Sequence, residues 1–74
     1  MNAGGTTVNA AEVRIGDRLR TRTGGEVTVT RIDDSFMGRA EMLAFVEDSE
    51  TQWFKMPAPR DGEVILVHRA IAVE

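Results

Sequence analysis

The sequence predicts an all-β fold, a small barrel of about five short strands with one short helical turn near the N-terminus. Short segments rich in β-branched and apolar residues recur along the chain, and turn signals built on glycine, proline and aspartate separate them. The chain has 74 residues, which is the size of one domain, and it has no cysteine to form a disulfide or a thiolate metal site. A domain this small without such cross-links is marginally stable, which raises the expectation of a homo-oligomer.

The N-terminal part of the chain divides into a tail and a turn. Residues 1–7 are small, polar and glycine-rich, so we expect a flexible tail ahead of a single domain that spans residues 8–74. Asn9 can cap a helical turn over residues 10–13. Gly16 can then take a positive φ and Asp17 can fold back on the backbone, which delivers the chain into the first strand.

The strand signals follow in regular order. The pattern predicts five strands, over residues 18–22, 26–33, 40–47, 51–56 and 63–69. Leu19 and Thr21 are expected to point inward, and Thr23-Gly24-Gly25 is expected to form the hairpin turn to the second strand. Residues 40–47 also suit a helix by composition, but their short continuous apolar run favours a strand buried on both faces. Pro57 and Pro59 are expected to end the fourth strand, and the last strand can continue through residue 74.

Two motifs resemble a known fold family. Residues 11–17, Ala-Glu-Val-Arg-Ile-Gly-Asp, and residues 24–27, Gly-Gly-Glu-Val, are similar to the opening of SH3-like barrel domains. The motifs cover about a third of the chain, and the strand count alone carries the resemblance further. The resemblance implies a five-stranded, strongly bent barrel. It implies no particular function, because this fold serves peptide, nucleic-acid and subunit-contact roles.

Composition also bears on source and location. The chain uses eight arginines and one lysine, with much alanine, glycine and valine. This usage is typical of high-GC coding sequence and favours an actinobacterial or actinophage protein. No apolar run approaches the roughly 18 residues that span a bilayer, and the N-terminus lacks the basic and apolar regions of a signal peptide. We therefore expect a cytoplasmic protein with no membrane contact.

The aromatic residues indicate a protein-binding surface. Trp53 and Phe54 are adjacent in a strand, so their side chains project to opposite faces and one of them is left to contact a partner. The alternative is a tryptophan that lies over the barrel mouth. The neighbouring strand is apolar on both faces, which predicts an uncovered patch, and the loop at Phe36 and Met37 is either an apolar finger or a plug. The predicted protein-binding residues are Trp53, Phe54, Met42, Leu43, Phe36 and Met37.

The arginines indicate a second candidate surface. Arg18, Arg20 and Arg22 alternate along one strand, and Arg31 follows on the next. They could bind nucleic-acid phosphates or an acidic protein surface, or they could form a solvated face that protects a strand edge. The net charge of −3 and the lack of interleaved aromatic residues disfavour nucleic acid.

The sequence offers no catalytic constellation. It has no Ser-His-Asp set, P-loop or G-x-G-x-x-G motif, and a zinc site would have to combine its one histidine, His68, with carboxylates alone. We expect no catalytic residue, no metal, no cofactor and no small-molecule substrate. The expected function is a non-catalytic protein-interaction module that self-associates or docks on a host protein. The alternatives are a nucleic-acid-binding barrel and a non-catalytic subunit of a larger enzyme complex.

Overall fold

Seven strands form two antiparallel sheets in the computed structural model, which describes residues 5–69. In chain order the strands are β1 (Thr6–Asn9), β2 (Arg18–Arg20), β3 (Glu26–Thr28), β4 (Arg31–Asp33), β5 (Met42–Asp48), β6 (Trp53–Pro59) and β7 (Glu63–His68). The first sheet has the strand order β1-β7-β2-β3, and the second has the order β4-β5-β6. The predicted all-β fold is confirmed.

The two sheets do not close into the predicted barrel. Across residues 5–69, no strand ladder joins the β6 edge of the second sheet to the first sheet. The predicted second strand, residues 26–33, divides into β3 and β4 at Thr30, whose N–H donates to the carbonyl of Val46 at 2.7 Å. Val27 and Val29 are buried before this corner, and Ile32 packs against the core after it. The inward positions therefore shift by one residue, because the chain bends there to pass from one sheet to the other.

The N-terminal turn is formed as predicted. A 3-10 turn covers Ala10–Glu12, and the side chain of Asn9 accepts a hydrogen bond from the N–H of Ala11 at 2.9 Å. Gly16 has a φ of +96°. These features confirm the predicted cap and turn, which both arise from contacts between residues close in sequence.

The structure adds a strand at the start of the domain. Thr6 and Thr7, which the sequence assigns to the tail, belong to β1 and pair with β7. Residues 1–4 of the predicted tail lie outside the described residues, as does the predicted continuation of the last strand over residues 70–74.

The core lies between the two sheets and is centred on β5. Leu43 and Phe45 face the interior, at 5% and 0% exposure, and belong to the buried apolar cluster. Ala44 and Val46 are both 0% exposed although they alternate with these residues. The prediction of a strand buried on both faces is therefore confirmed.

An ion pair covers the outer face of β5. Asp33 of β4 is the register partner of Ala44, and Lys55 of β6 is the register partner of Val46. The ammonium of Lys55 lies 3.2 Å from a carboxylate oxygen of Asp33, so the pair spans β5 above its small outer side chains. The outer face of β5 at Ala44 and Val46 is therefore covered and does not contribute to the predicted apolar patch.

None of the described segments is a helix long and apolar enough to cross a bilayer.

Candidate functional site

A groove runs between β6, the edge strand of the second sheet, and the hairpin that joins β2 to β3. It consists of three depressions of about 220, 370 and 340 Å³, and Thr21 lines all three. We call it the β6 groove. Its walls are residues 52–59 on one side and residues 20–23, 25 and 26 on the other, with residues 63–65 of β7 at one end.

The hairpin wall is held by its own hydrogen bonds. The N–H of Thr21 donates to the carbonyl of Gly25 at 2.9 Å, and the N–H of Gly25 donates to the hydroxyl of Thr21 at 3.0 Å. Gly24 has a φ of +94°, which glycine adopts readily and which the predicted turn at residues 23–25 requires. The hydroxyls of Thr21 and Thr23 lie 3.2 Å apart, so the polar groups of this wall are ordered at the groove.

Trp53 and Phe54 line one end of the groove together. Trp53 is the register partner of Asp48 on the outer face of the second sheet, and Phe54 is the partner of Glu47 on the opposite face. Their projection to opposite faces is as predicted. Both are nevertheless exposed, at 59% and 40%, because Phe54 lies near the end of the strand, beyond the buried cluster.

The middle of the groove has an apolar floor and a basic rim. Phe54, Met56 and Pro57 contribute apolar surface, and Met56 also packs against the core. Arg22 and Lys55 line the same depression, and among the described residues that line it there is no aspartate or glutamate. The middle of the groove therefore carries positive charge in a chain whose net charge is −3.

The two cations of this rim differ in their partners. Lys55 is paired with Asp33, and its ammonium lies 5.9 Å from the centre of the Phe36 ring. Arg22 is exposed and makes no ion pair with any residue between 5 and 69. Of the two cations that line this middle depression, Arg22 is therefore the one without an acidic partner among the described residues.

The pKa of Asp33 reflects the cations around it. Hydrogen bonds from the Arg31 guanidinium, at 2.8 Å, and from Lys55 lower the pKa of Asp33 below its ordinary value. Asp33 is therefore ionised at neutral pH and keeps the Lys55 ammonium fixed on the outer face of the sheet.

The backbone of β6 offers few donors to the groove. The N–H of Arg60 donates to the carbonyl of Glu41 at 2.8 Å. In the antiparallel register of β5 and β6, every second residue of β6 is therefore hydrogen-bonded to β5, and these are the even-numbered ones. The odd-numbered residues of β6 therefore direct their backbone groups away from β5. Two of these four positions are Pro57 and Pro59, which have no N–H.

These prolines correct the predicted end of the strand. The sequence pattern places the end at Met56, whereas β6 continues through Pro59. Proline is tolerated in an edge strand where its missing N–H would point away from the neighbouring strand. Two prolines spaced by two residues were thus a signal for an edge strand, and this signal could have located the groove.

The six predicted protein-binding residues do not form one patch. Leu43 is a core residue, so its assignment to a surface is wrong, because its side chain lies on the inner face of β5. Met42 is partly buried at the start of the same strand. Only Trp53 and Phe54 of the six line the groove described here.

The loop at Phe36 and Met37 is a tight turn. The N–H of Arg39 donates to the carbonyl of Phe36 at 2.9 Å, and the reverse bond is 3.2 Å long. Met37 and Gly38 between them have φ values of +53° and +80°. Phe36 is partly buried and Met37 is 84% exposed, so the turn points one side chain toward the protein and the other into solvent.

The predicted arginine surface is divided. Arg18 forms an ion pair with Glu26, and Arg31 forms one with Asp33 on the second sheet. Arg20 contacts only the carbonyl of Gly24, at 3.5 Å, among the hydrogen bonds of the described chain. Two of the four arginines therefore have acidic partners, and they lie on different sheets.

Within the described part of the chain, no three histidine, cysteine, aspartate or glutamate residues come together as a metal site. No family model, curated protein or solved structure matches the chain.

Proposed function

We propose that this protein is a non-catalytic interaction module that holds an extended segment of a partner protein in the β6 groove. The observation that carries the proposal is the pair Trp53 and Phe54, 59% and 40% exposed, side by side on the strand that forms one wall. Tryptophan is enriched among the residues that dominate binding energy at protein interfaces.

Burial of Trp53 alone does not supply enough free energy to hold a partner. Burying the exposed part of Trp53 removes on the order of 100–150 Å² from water, which contributes about 3 kcal/mol. Association costs an estimated 4–15 kcal/mol, so Trp53 alone cannot hold a partner. Phe54 and the apolar floor at Met56 and Pro57 supply the further apolar contact that the complex needs.

The shape of the groove favours an extended segment. β6 has seven residues, and at about 3.3 Å per residue the groove is on the order of 20 Å long. About six or seven extended residues fit that length. A groove bounded by a strand on one side and a hairpin on the other suits a single extended chain better than the flat face of a folded domain.

Sequence features support the same class of function. The resemblance of residues 11–17 and 24–27 to SH3-like domains is compatible with a binding module, since that fold includes peptide-binding members. The arginine-rich, lysine-poor composition supports an actinobacterial or actinophage source. The partner in that case is a protein of the bacterial cell.

Nucleic-acid binding and self-association have less support. Arg18 and Arg31 are engaged with carboxylates, which leaves little free positive charge for a phosphate backbone. Pro57 and Pro59 oppose pairing of two β6 edges, which is the simplest route to a dimer through this surface.

The test is selection of a randomised seven-residue peptide library on the purified protein. A Trp53→Ala/Phe54→Ala variant serves as the counter-selection target. Ile15→Ala is the matched control, because Ile15 is 55% exposed and does not line the groove. We expect selected peptides to bind wild type and Ile15→Ala alike, and to lose at least about tenfold in affinity with Trp53→Ala.

Two results contradict the proposal. One is a library in which no peptide is enriched over the double variant. The other is a set of peptides whose affinity is the same for wild type and Trp53→Ala. Thermal unfolding of each variant shows whether a loss of binding reflects the groove or a loss of folding.

A further inference from the structure

We propose that the bound segment carries a carboxylate that pairs with Arg22, with a large apolar side chain within two residues of it. This inference rests on the proposed function, and it names the chemistry of the partner at the same groove.

The distribution of ion pairs singles out Arg22. The described chain contains six ion pairs, and they engage every lysine and arginine of that part of the chain except three arginines. Of these three, Arg14 does not line the groove and Arg20 donates to a carbonyl of the hairpin. Arg22 borders both the middle and the β7 end of the groove. In a chain with more acidic than basic residues, a cation left without an acidic partner at a groove marks a site for an anion.

Acidic residues at the groove lie away from its middle. Glu26 lines the end near Trp53, where it pairs with Arg18, and Glu63 lines the opposite end. A negatively charged ligand group is therefore favoured in the middle, beside Arg22, and disfavoured at the Glu63 end. A guanidinium binds a carboxylate through two parallel N–H donors, which gives this contact both strength and a fixed orientation.

The edge of β6 favours recognition by side-chain contacts. A peptide that adds a strand to a sheet gains its affinity from alternating backbone donors and acceptors. On β6 the outward N–H groups are those of Trp53 and Lys55, and Pro57 and Pro59 supply none. Beyond Lys55 the edge therefore offers a carbonyl acceptor at Pro57 but no donor, so backbone pairing is complete only near Trp53. Farther along, side chains supply more of the recognition.

The apolar requirement follows from the floor beside Arg22. Phe54, Met56 and Pro57 line the same depression as Arg22, so a carboxylate at the rim places its neighbours over apolar surface. Methionine adapts to side chains of different shape, so the floor accepts several large apolar residues. The predicted ligand is thus an acidic and apolar peptide, and a purely acidic or purely apolar one binds more weakly.

The experiment measures fluorescence polarisation with the most enriched heptapeptide of the selection and with its analogue in which the acidic residue is replaced by the amide. The protein variants are Arg22→Gln and Arg14→Gln, the latter as a matched exposed arginine outside the groove. We expect Arg22→Gln to weaken binding about tenfold or more and Arg14→Gln to change it less than about twofold. The amide analogue should show the same loss on wild type and no further loss on Arg22→Gln.

The outcomes separate this inference from the function on which it rests. Selected peptides without an acidic residue, or peptides that bind Arg22→Gln as they bind wild type, overturn the inference and leave the groove as a binding site. Failure of the library to enrich any peptide over the Trp53→Ala/Phe54→Ala variant overturns both. A single-stranded oligonucleotide that binds at low salt more tightly than the peptides, and is lost with Arg22→Gln, replaces the peptide with a nucleic acid and also overturns the inference.

Discussion

Replacing Asp17 with asparagine should destabilise the protein more than any other conservative change of an acidic residue in the described chain. Asp17 is 0% exposed. Its carboxylate accepts a hydrogen bond from the N–H of Arg14 at 2.9 Å and one from the guanidinium of Arg69 at 3.1 Å. The side chain thus ties the turn before β2 to the end of β7. Asparagine keeps the shape but removes the charge that both donors face.

The magnitude follows from these contacts. A hydrogen bond to a charged group contributes about 1.5–3 kcal/mol, and the 38% exposure of the Arg69 side chain places its bond at the lower end. We expect Asp17→Asn to cost about 2–3 kcal/mol in the free energy of unfolding. Total stability for a chain of this length is about 4–11 kcal/mol, so the loss is large and should lower the Tm by about 10–20 °C.

Urea denaturation, followed by tryptophan fluorescence at Trp53 and by circular dichroism, measures this loss. Asp61→Asn is the matched control, because Asp61 is exposed in a turn and forms no ion pair within the described residues. It should change stability by less than about 0.5 kcal/mol. The reasoning is refuted if Asp17→Asn and Asp61→Asn unfold at the same urea concentration.

Three further predictions test other parts of the fold. Met37→Asn should stabilise the protein by about 0.5–1 kcal/mol in urea denaturation, because Met37 holds a φ of +53° that asparagine adopts more readily; a lower midpoint would contradict this. In the folded state the pKa of Asp33 lies below its ordinary value of 3.8. The contribution of Asp33 to the free energy of unfolding is therefore present above about pH 4 and is lost as the pH falls through the lower folded-state pKa. The stability difference between wild type and Asp33→Asn should therefore shrink below pH 4 in thermal melts, and a constant difference would exclude the ion pairs with Arg31 and Lys55 as its source. Replacing Pro57 and Pro59 together by valine should restore two outward donors and cause concentration-dependent self-association in sedimentation velocity, whereas a monomer at every concentration would show that other features protect this edge.

Structural features that depend only on residues close together in the chain were predicted correctly from the sequence. The cap at Asn9 and the positive φ at Gly16 depend on neighbours within one turn of the chain, and both form. The corner at Thr30 was missed, because its cause is a hydrogen bond to Val46 on a strand that comes later in the sequence.

The candidate site was predicted only in part. The adjacency of Trp53 and Phe54 in a strand predicted that one of them is exposed. That both are exposed depends on the position of Phe54 near the end of β6, beyond the buried cluster. The lack of an acidic partner for Arg22 among the described residues could not be predicted, since it depends on which arginines meet carboxylates across the sheets. The assignment of Leu43 to a surface failed for a related reason, because the sequence does not say which face of a doubly apolar strand meets the core.

The sequence by itself therefore determined the class of fold, the turns, and the presence of aromatic side chains beyond what the core uses. Those properties are local, because they follow from residue type and from a period of two along a strand. The tertiary structure alone decided that β6 is an edge strand, that the hairpin of β2 and β3 lies beside it, and that Lys55 and Asp33 cover the outer face of β5. Each of these features requires contacts between segments that are distant in the chain. The order of the strands fixes those contacts, and no local sequence pattern encodes that order.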